Sequence, residues 1–210
     1  MTLQPETPKD QVGVVLIGHG QPASDCPPQL IGELMMLEWR ANGHGAHGSH
    51  GGHGHGPSAD PSVVERRVAE LDATIRDWPR TAENDPYRVG FERLAEQVRP
   101  MLGTELFAVG YNEFCRPSTT EAVESLIARG ARHLYVISVM MTPGGVHSER
   151  DIPRELEMIH RKHPDVTIEY AWPFDLPHVA QFLAQHIHQW RGTDVGRGGS
   201  GPQTKGSRQG

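Results

Sequence analysis

Residues 12–17, within the stretch VGVVLIGHG, form a nearly unbroken run of apolar, mostly β-branched side chains. A strand with one wet face alternates apolar and polar positions. A run like this one is covered on both sides, which is the habit of parallel sheets. Three similar runs follow: TELFAVGYN at 104–112, HLYVISVMMT at 133–142 and VTIEYAW at 166–172. Helical patterns lie between and after them. In PSTTEAVESLIARG, Ser118 and Glu121 are spaced as a capping box, and Gly130 is placed to end the helix. DIPRELEMIHRKH carries Pro153 where a first helical turn accepts it and sets Ile152, Leu156 and Ile159 on one side. A last helix, PHVAQFLAQHIHQW, is expected to bury Val179, Phe182, Leu183 and Ile187. Strands alternating with helices predict right-handed crossovers. The expected class is α/β, with a four-stranded parallel sheet covered by helices on both faces.

The gap between the first two strands is far longer than a crossover needs. It holds a helix near residues 29–40, the run GHGAHGSHGGHGHG at 43–56, and a helix carrying Val64, Val68, Leu71 and Ile75. After a break comes GFERLAEQVRPMLG, whose Phe91, Leu94 and Val98 are expected to face the sheet. The organisation expected is an N-terminal extension over 1–11, then a sheet domain over 12–190 with an insertion at about 41–88. Residues 191–210 lack apolar periodicity and read as a disordered tail.

Composition works by exclusion. A formal net charge of −6 gives no support to a general nucleic-acid binder, which carries a basic stripe. No apolar run approaches the roughly 18 residues of a membrane span, and no signal-peptide pattern opens the chain. Cys26 and Cys115 form no Cys-x-x-Cys pair, against an iron–sulfur cluster or a zinc knuckle. The expectation is a cytoplasmic protein with reduced thiols and neither a nucleic-acid nor a membrane partner.

Ligands of open α/β sheets bind beyond the carboxyl ends of the strands. The first strand ends at His19, between Gly18 and Gly20. The second ends in YNEFCRPS, with Glu113, and the third runs into MTPGGVHSERDIP, which delivers His147. Singly, each has a plainer reading: His19 as a tight-turn residue, Glu113 as a solvated strand-end charge, His147 as part of a helix cap. Jointly they put two imidazoles and a carboxylate on one rim. Such a set binds Fe, Co, Ni or Zn and leaves positions open, which suits an ion in transit better than a structural ion enclosed by four ligands. Arg116, Arg150 and Arg154 lie near the same rim, as helix-start charges or as anion-binding groups. His44, His47, His50, His53 and His55 of the glycine-rich run have no rigid frame, and ordering them on an ion costs entropy that a preformed site avoids. They read as an accessory metal-collecting or buffering loop, against a neutral low-complexity insert.

The blocks VLIGHG, NEFCRPSTTEAVESLIARGA and PGGVHSERDIPREL resemble the CbiX-type class II chelatases: sirohydrochlorin cobaltochelatases, with ferrochelatases and nickel-inserting relatives close by. The resemblance runs from Val12 to about Trp190 apart from the insertion, and fits the short, single-unit form. It implies a chelatase-like (flavodoxin-like) three-layer fold. It also implies insertion of a divalent metal, Co²⁺ first with Fe²⁺ or Ni²⁺ as alternatives, into sirohydrochlorin or a related tetrapyrrole by a homodimer. Metal-binding and catalytic roles fall on His19 and His147, with Glu113 as the acidic partner. The substrate's carboxylates are expected at the helix N-termini after Glu113 and His147, with Arg116, Ser118 and Arg150. The metal is a substrate, and no organic cofactor is implied. Where the family has Gly-Ser-Arg after the first histidine, this chain has Gly20-Gln21-Pro22. A rival from another class, a nickel or cobalt storage protein or metallochaperone, uses the histidine run and has no need of the rim trio. A flavodoxin-like nucleotide site is disfavoured, since no phosphate-cradling glycine loop follows the first strand.

Overall fold

The computed structural model describes residues 11–41 and 61–194. His44, His47, His50, His53 and His55 lie outside the described residues, as do positions 1–10 and 195–210. All four apolar runs form strands: β1 (Val12–Gly18), β2 (Leu106–Tyr111), β3 (His133–Ser138) and β4 (Thr167–Tyr170). They make one parallel sheet in the order β2-β1-β3-β4. Helices α1 (Pro28–Ala41), α2 (Pro61–Arg76) and α3 (Pro86–Val98) lie between β1 and β2. Then α4 (Thr119–Ala128) joins β2 to β3, α5 (Ile152–Lys162) joins β3 to β4, and α6 (Leu176–Asp194) follows β4. Among the described residues, no helix is long and apolar enough to cross a membrane.

The central strand β1 sends its side chains to two cores, which is why its sequence is apolar throughout. Val15 and Ile17 pack with Leu134 and Val136 of β3, with Ala122, Val123 and Leu126 of α4, and with Ile152, Leu156 and Ile159 of α5. Leu16 points the other way, to Phe91 and Ala95 of α3 and to Tyr111 and Cys115. Val15, Ile17, Leu134 and Val136 are wholly withdrawn from water, each contributing about 1.5–3 kcal/mol by burial. The capping box of α4 is present in both directions between Ser118 and Glu121. Gly130, just past that helix, takes φ +102°, a value that glycine adopts without strain.

Two expected faces are corrected. In α3 the buried pair is Phe91 and Ala95, one turn apart, while Leu94 is exposed. A helix seated closely on a sheet takes a small side chain at the contact, so hydropathy alone selects the wrong neighbour. In α6, Phe182, Leu183 and Ile187 are exposed and Val179 is only half-buried. Periodicity specifies an apolar stripe without specifying anything to cover it. The chain divides into two compact units, Met1–Trp172 and Pro173–Gly210, with α6 in the second. That helix continues to Asp194, beyond the point where a structureless tail was expected.

Part of the stretch read as an insertion is built into the fold. Leu71 and Ile75 of α2 form a third buried cluster with Leu34 of α1, Ala23 and Cys26. Arg67 of α2 makes a two-pronged bond to Glu33 of α1, at 2.7 and 2.9 Å. Helix α2 thereby delivers its C-terminal arginine, Arg76, to the carboxyl edge of the sheet.

Candidate metal centre

The β1–β2 ladder continues past the strands. The Asn112 N–H donates to the Gly18 carbonyl and the Glu113 N–H to the His19 carbonyl, both at 2.9 Å. The His19 N–H donates in turn to the Tyr87 hydroxyl of α3 at 2.8 Å. Backbone bonds alone therefore set His19 and Glu113 side by side. The turn after His19 needs glycine: Gly20 has φ +84°, and a Cβ there would lie 1.9 Å from the Glu113 carbonyl oxygen.

Two arginines hold the Glu113 loop from behind. Arg76 donates to the carbonyls of Asn112 and Cys115. Arg80 donates to those of Phe114, Gln21 and Ile75. The Arg80 side chain is 6% exposed and its partner Asp85 is fully buried, with 2.9 Å between them. Asp85 also accepts from the Arg88 N–H and caps α3. One guanidinium thus ties the loop carrying His19 to the loop carrying Glu113.

His147 arrives on the β3–β4 crossover. His147–Asp151 is a π-helical turn ahead of α5, closed by the Ile152 N–H on the His147 carbonyl. Wide turns of this kind are frequent at functional sites. The Nδ1 atom of His147 is 2.9 Å from Asp151 Oδ2, and Arg150 Nε donates to Asp151 Oδ1 at 3.0 Å. This leaves His147 Nε2 facing the rim, 3.6 Å from Glu113 Oε1. His19 is arranged likewise: its Nδ1 is 2.6 Å from the Gly20 carbonyl, and its Nε2 is 4.0 Å from Glu113 Oε2. The two imidazoles stand edge to face, with centroids 4.9 Å apart and planes at 85°.

All three expected residues are therefore brought together. One ligand atom from each of His19, Glu113 and His147 lies within 4.8 Å of the others. First-row ions bind such donors at about 2.0–2.2 Å, so a small inward turn of the side chains closes the set on one ion. Donors from one side leave the outward positions of that ion open. Nitrogen and carboxylate oxygen together suit Co, Fe, Ni or Zn.

A cleft of about 570 Å³ opens beside the trio, lined by Glu113 and His147 and by Leu34, Val64 and Val68 of α1 and α2. That volume is usual for a small-molecule site. Glu38, Glu65, Asp72, Asp151 and Glu155 also reach its walls. Its two arginines are each paired, Arg76 with Asp72 and Arg150 with Asp151. Burial, and then the charges of Glu113 and Asp72, push the Glu38 carboxyl above the usual range. Burial does the same to Glu155, which accepts from the Thr120 hydroxyl. Such walls draw cations in. Of the groups expected to hold substrate carboxylates, Arg150 lines the cleft. Arg116 is engaged by Asp77 and Glu121, Ser118 caps α4, and neither lines it. Sequence reasoning missed Tyr87, Arg76, Arg80 and Asp151. Of these only Asp151 carries a local signal, four residues after His147 at the start of a helix.

The CbiX family model matches residues 82–189, just over half of the chain. This chain belongs to the CbiX family. The matched region takes in Glu113 and His147 and begins after His19. This CbiX chain is 24% identical over 153 residues to the sirohydrochlorin ferrochelatase of Priestia megaterium, covering 68% of this chain and 56% of that relative. It is 35% identical over 71 residues to the sirohydrochlorin cobaltochelatase of Methanocaldococcus jannaschii, covering 34% of this chain and 49% of that relative. The chain spans about half the length of these curated relatives. A crystal structure of a CbiX protein from Marinobacter aquaeolei matches with a TM-score of 0.49 at 17% identity, covering 87% of this chain and 98% of that one.

Proposed function

We propose that this CbiX protein inserts a divalent metal into sirohydrochlorin or a closely related tetrapyrrole, with Co²⁺ as the first choice and Fe²⁺ or Ni²⁺ as alternatives. The observation that carries this reading is the open trio of His19, Glu113 and His147 beside a roomy cleft. Relatives named for cobalt and for iron both match. Imidazole and carboxylate accept these ions with overlapping affinity, so metal supply decides among them.

Metal insertion poses three problems: stripping water from the ion, removing two pyrrole protons, and bending the ring so that its nitrogens face the ion. In this account the Nε2 atoms of His19 and His147 hold the incoming ion from one side. Its outward positions stay free for pyrrole nitrogens. Glu113, between the two imidazoles, accepts the released protons. The acidic walls concentrate the cation, and Arg150 at the start of α5 meets a carboxylate of the ring. The protein works as a homodimer, as the resemblance to the short form implies, and sedimentation reads that state. The histidine run of 43–56 lies outside the described residues, and its assigned part is to collect or buffer metal. Storage alone needs no such trio beside a cleft.

The test is visible absorbance. With sirohydrochlorin and Co²⁺ the wild-type protein accelerates the spectral change of metallation, and His147→Ala lowers that rate by about 100-fold or more, the scale of a lost catalytic group. A His147→Ala rate close to wild type at saturating cobalt refutes the assignment.

A further inference from the structure

Asp151 makes two contacts that a helix-start charge does not need. Its Oδ2 meets His147 Nδ1 at 2.9 Å, and its Oδ1 accepts from Arg150 Nε at 3.0 Å. We propose that Asp151, itself oriented by Arg150, is a positioning residue that holds the His147 proton on Nδ1 and so keeps Nε2 free to bind metal. The inference deepens the chelatase reading and rests on it for its catalytic consequence.

The chemistry leaves little choice. An ionised carboxylate only accepts hydrogen bonds, so the imidazole nitrogen facing it must carry the proton. A neutral imidazole has one proton; Asp151 at 2.9 Å is within hydrogen-bond reach and Glu113 at 3.6 Å is not, so the proton sits on Nδ1 and Nε2 is left with its lone pair toward the rim. A carboxylate on the far nitrogen also makes the imidazole a better donor to the ion and locks the ring plane. His19 obtains the same outcome from the Gly20 carbonyl. Arg150 adds a directional element. A guanidinium only donates, so the atom of residue 151 that faces Arg150 must be an acceptor, and the other terminal atom faces His147.

This makes Asp151→Asn more informative than a truncation. Arg150 must keep an acceptor opposite it, so the amide oxygen faces Arg150 and the NH₂ faces His147. His147 Nδ1 then has to accept, and the proton moves to Nε2, the metal-binding atom. The fold is kept, because the side chains are isosteric. In the double variant Arg150→Ala/Asp151→Asn, the amide is free to present either its oxygen or its NH₂, so the Nδ1–H form regains population.

The experiment is long-range ¹H–¹⁵N correlation of the full chain labelled on histidine, above the titration range of imidazole, with His147 assigned by its loss in His147→Ala. The expected pattern is Nδ1–H in wild type, Nε2–H in Asp151→Asn and a regained Nδ1–H population in the double variant. Cobalt insertion by Asp151→Asn should fall about 10–100-fold, the usual effect of losing a group that orients a metal ligand. An Nε2–H tautomer in wild type, or an unchanged Nδ1–H tautomer in Asp151→Asn, overturns the proposal. A tautomer ratio in the double variant unchanged from Asp151→Asn overturns the part assigned to Arg150. The expected tautomer pattern in a wild-type protein that does not metallate sirohydrochlorin upholds the positioning and refutes the chelatase reading instead.

Discussion

Replacing Arg80 by alanine should be the most damaging change away from the trio. Its guanidinium has one buried carboxylate partner, Asp85, and three carbonyl partners, on Gln21, Ile75 and Phe114. Asp85 has no exposure at all, so the substitution leaves a buried charge without its cation. Breaking such a pair from one side costs about 3–5 kcal/mol, most of it the desolvation of the stranded partner. For a chain of this length each kcal/mol moves Tm by about 2–4 °C, so a fall of roughly 6–20 °C is expected. Urea unfolding followed by tryptophan fluorescence and by far-ultraviolet circular dichroism gives the free energy directly, and agreement of the two probes tests two-state behaviour. Arg80→Lys keeps the charge and loses the fork, and should fall between. Where Arg80→Ala still folds, its cobalt affinity should drop as well, because the His19 and Glu113 loops are no longer tied together. A loss below about 1 kcal/mol would refute the clamp, since it would place the pair among surface ion pairs of little worth.

Gly20→Ala should disable the site while sparing the sheet. The added Cβ meets the Glu113 carbonyl at 1.9 Å in a backbone conformation with φ +84°, so Glu113 must move or the turn must open. Strain of this kind costs about 1–3 kcal/mol, and metallation at wild-type rate by this variant contradicts the geometry. Glu155→Gln should stabilise the protein at alkaline pH. Burial raises the folded-state value of this carboxyl, so the native state holds the proton more tightly than the unfolded chain does. The ionised form therefore costs stability once pH climbs through the folded value. The gain in Tm should be clear near pH 8 and absent at about pH 3, below the carboxyl's value in either state; a less stable Gln variant at pH 8 reverses the sign and the argument. Removing residues 43–56 should slow metallation when cobalt is scarce and leave the saturated rate nearly unchanged. Loss of the rate at high cobalt would move the histidine run into the active machinery.

What the residues announced in advance was whatever depends on local pattern. The four apolar runs became the four strands because two-sided burial leaves no polar register positions, and Ser118 and Glu121 became a capping box because the spacing is itself the motif. His19, Glu113 and His147 were legible because parallel strands end on one edge, so residues far apart in sequence fall together. The misses share a cause: each depends on what a side chain meets across space. Leu94 and Ala95 are adjacent in sequence, and only the close seating of α3 decides which turns inward. The α6 stripe had a clear period and nothing in the chain to name its cover. Arg116 looked like an anion holder until Asp77 and Glu121 were seen to engage it. Arg80 and Asp85 lie in an irregular connection between helices, where no periodicity exists to mark them.

Cobalt X-ray absorption on protein lacking residues 43–56 addresses the trio most directly, because it counts imidazoles on the ion without interference from the histidine run. The account predicts two imidazole nitrogens at about 2.1 Å and one in His19→Ala or His147→Ala, with substrate absent. A first shell unchanged by either substitution would show that the ion is held elsewhere.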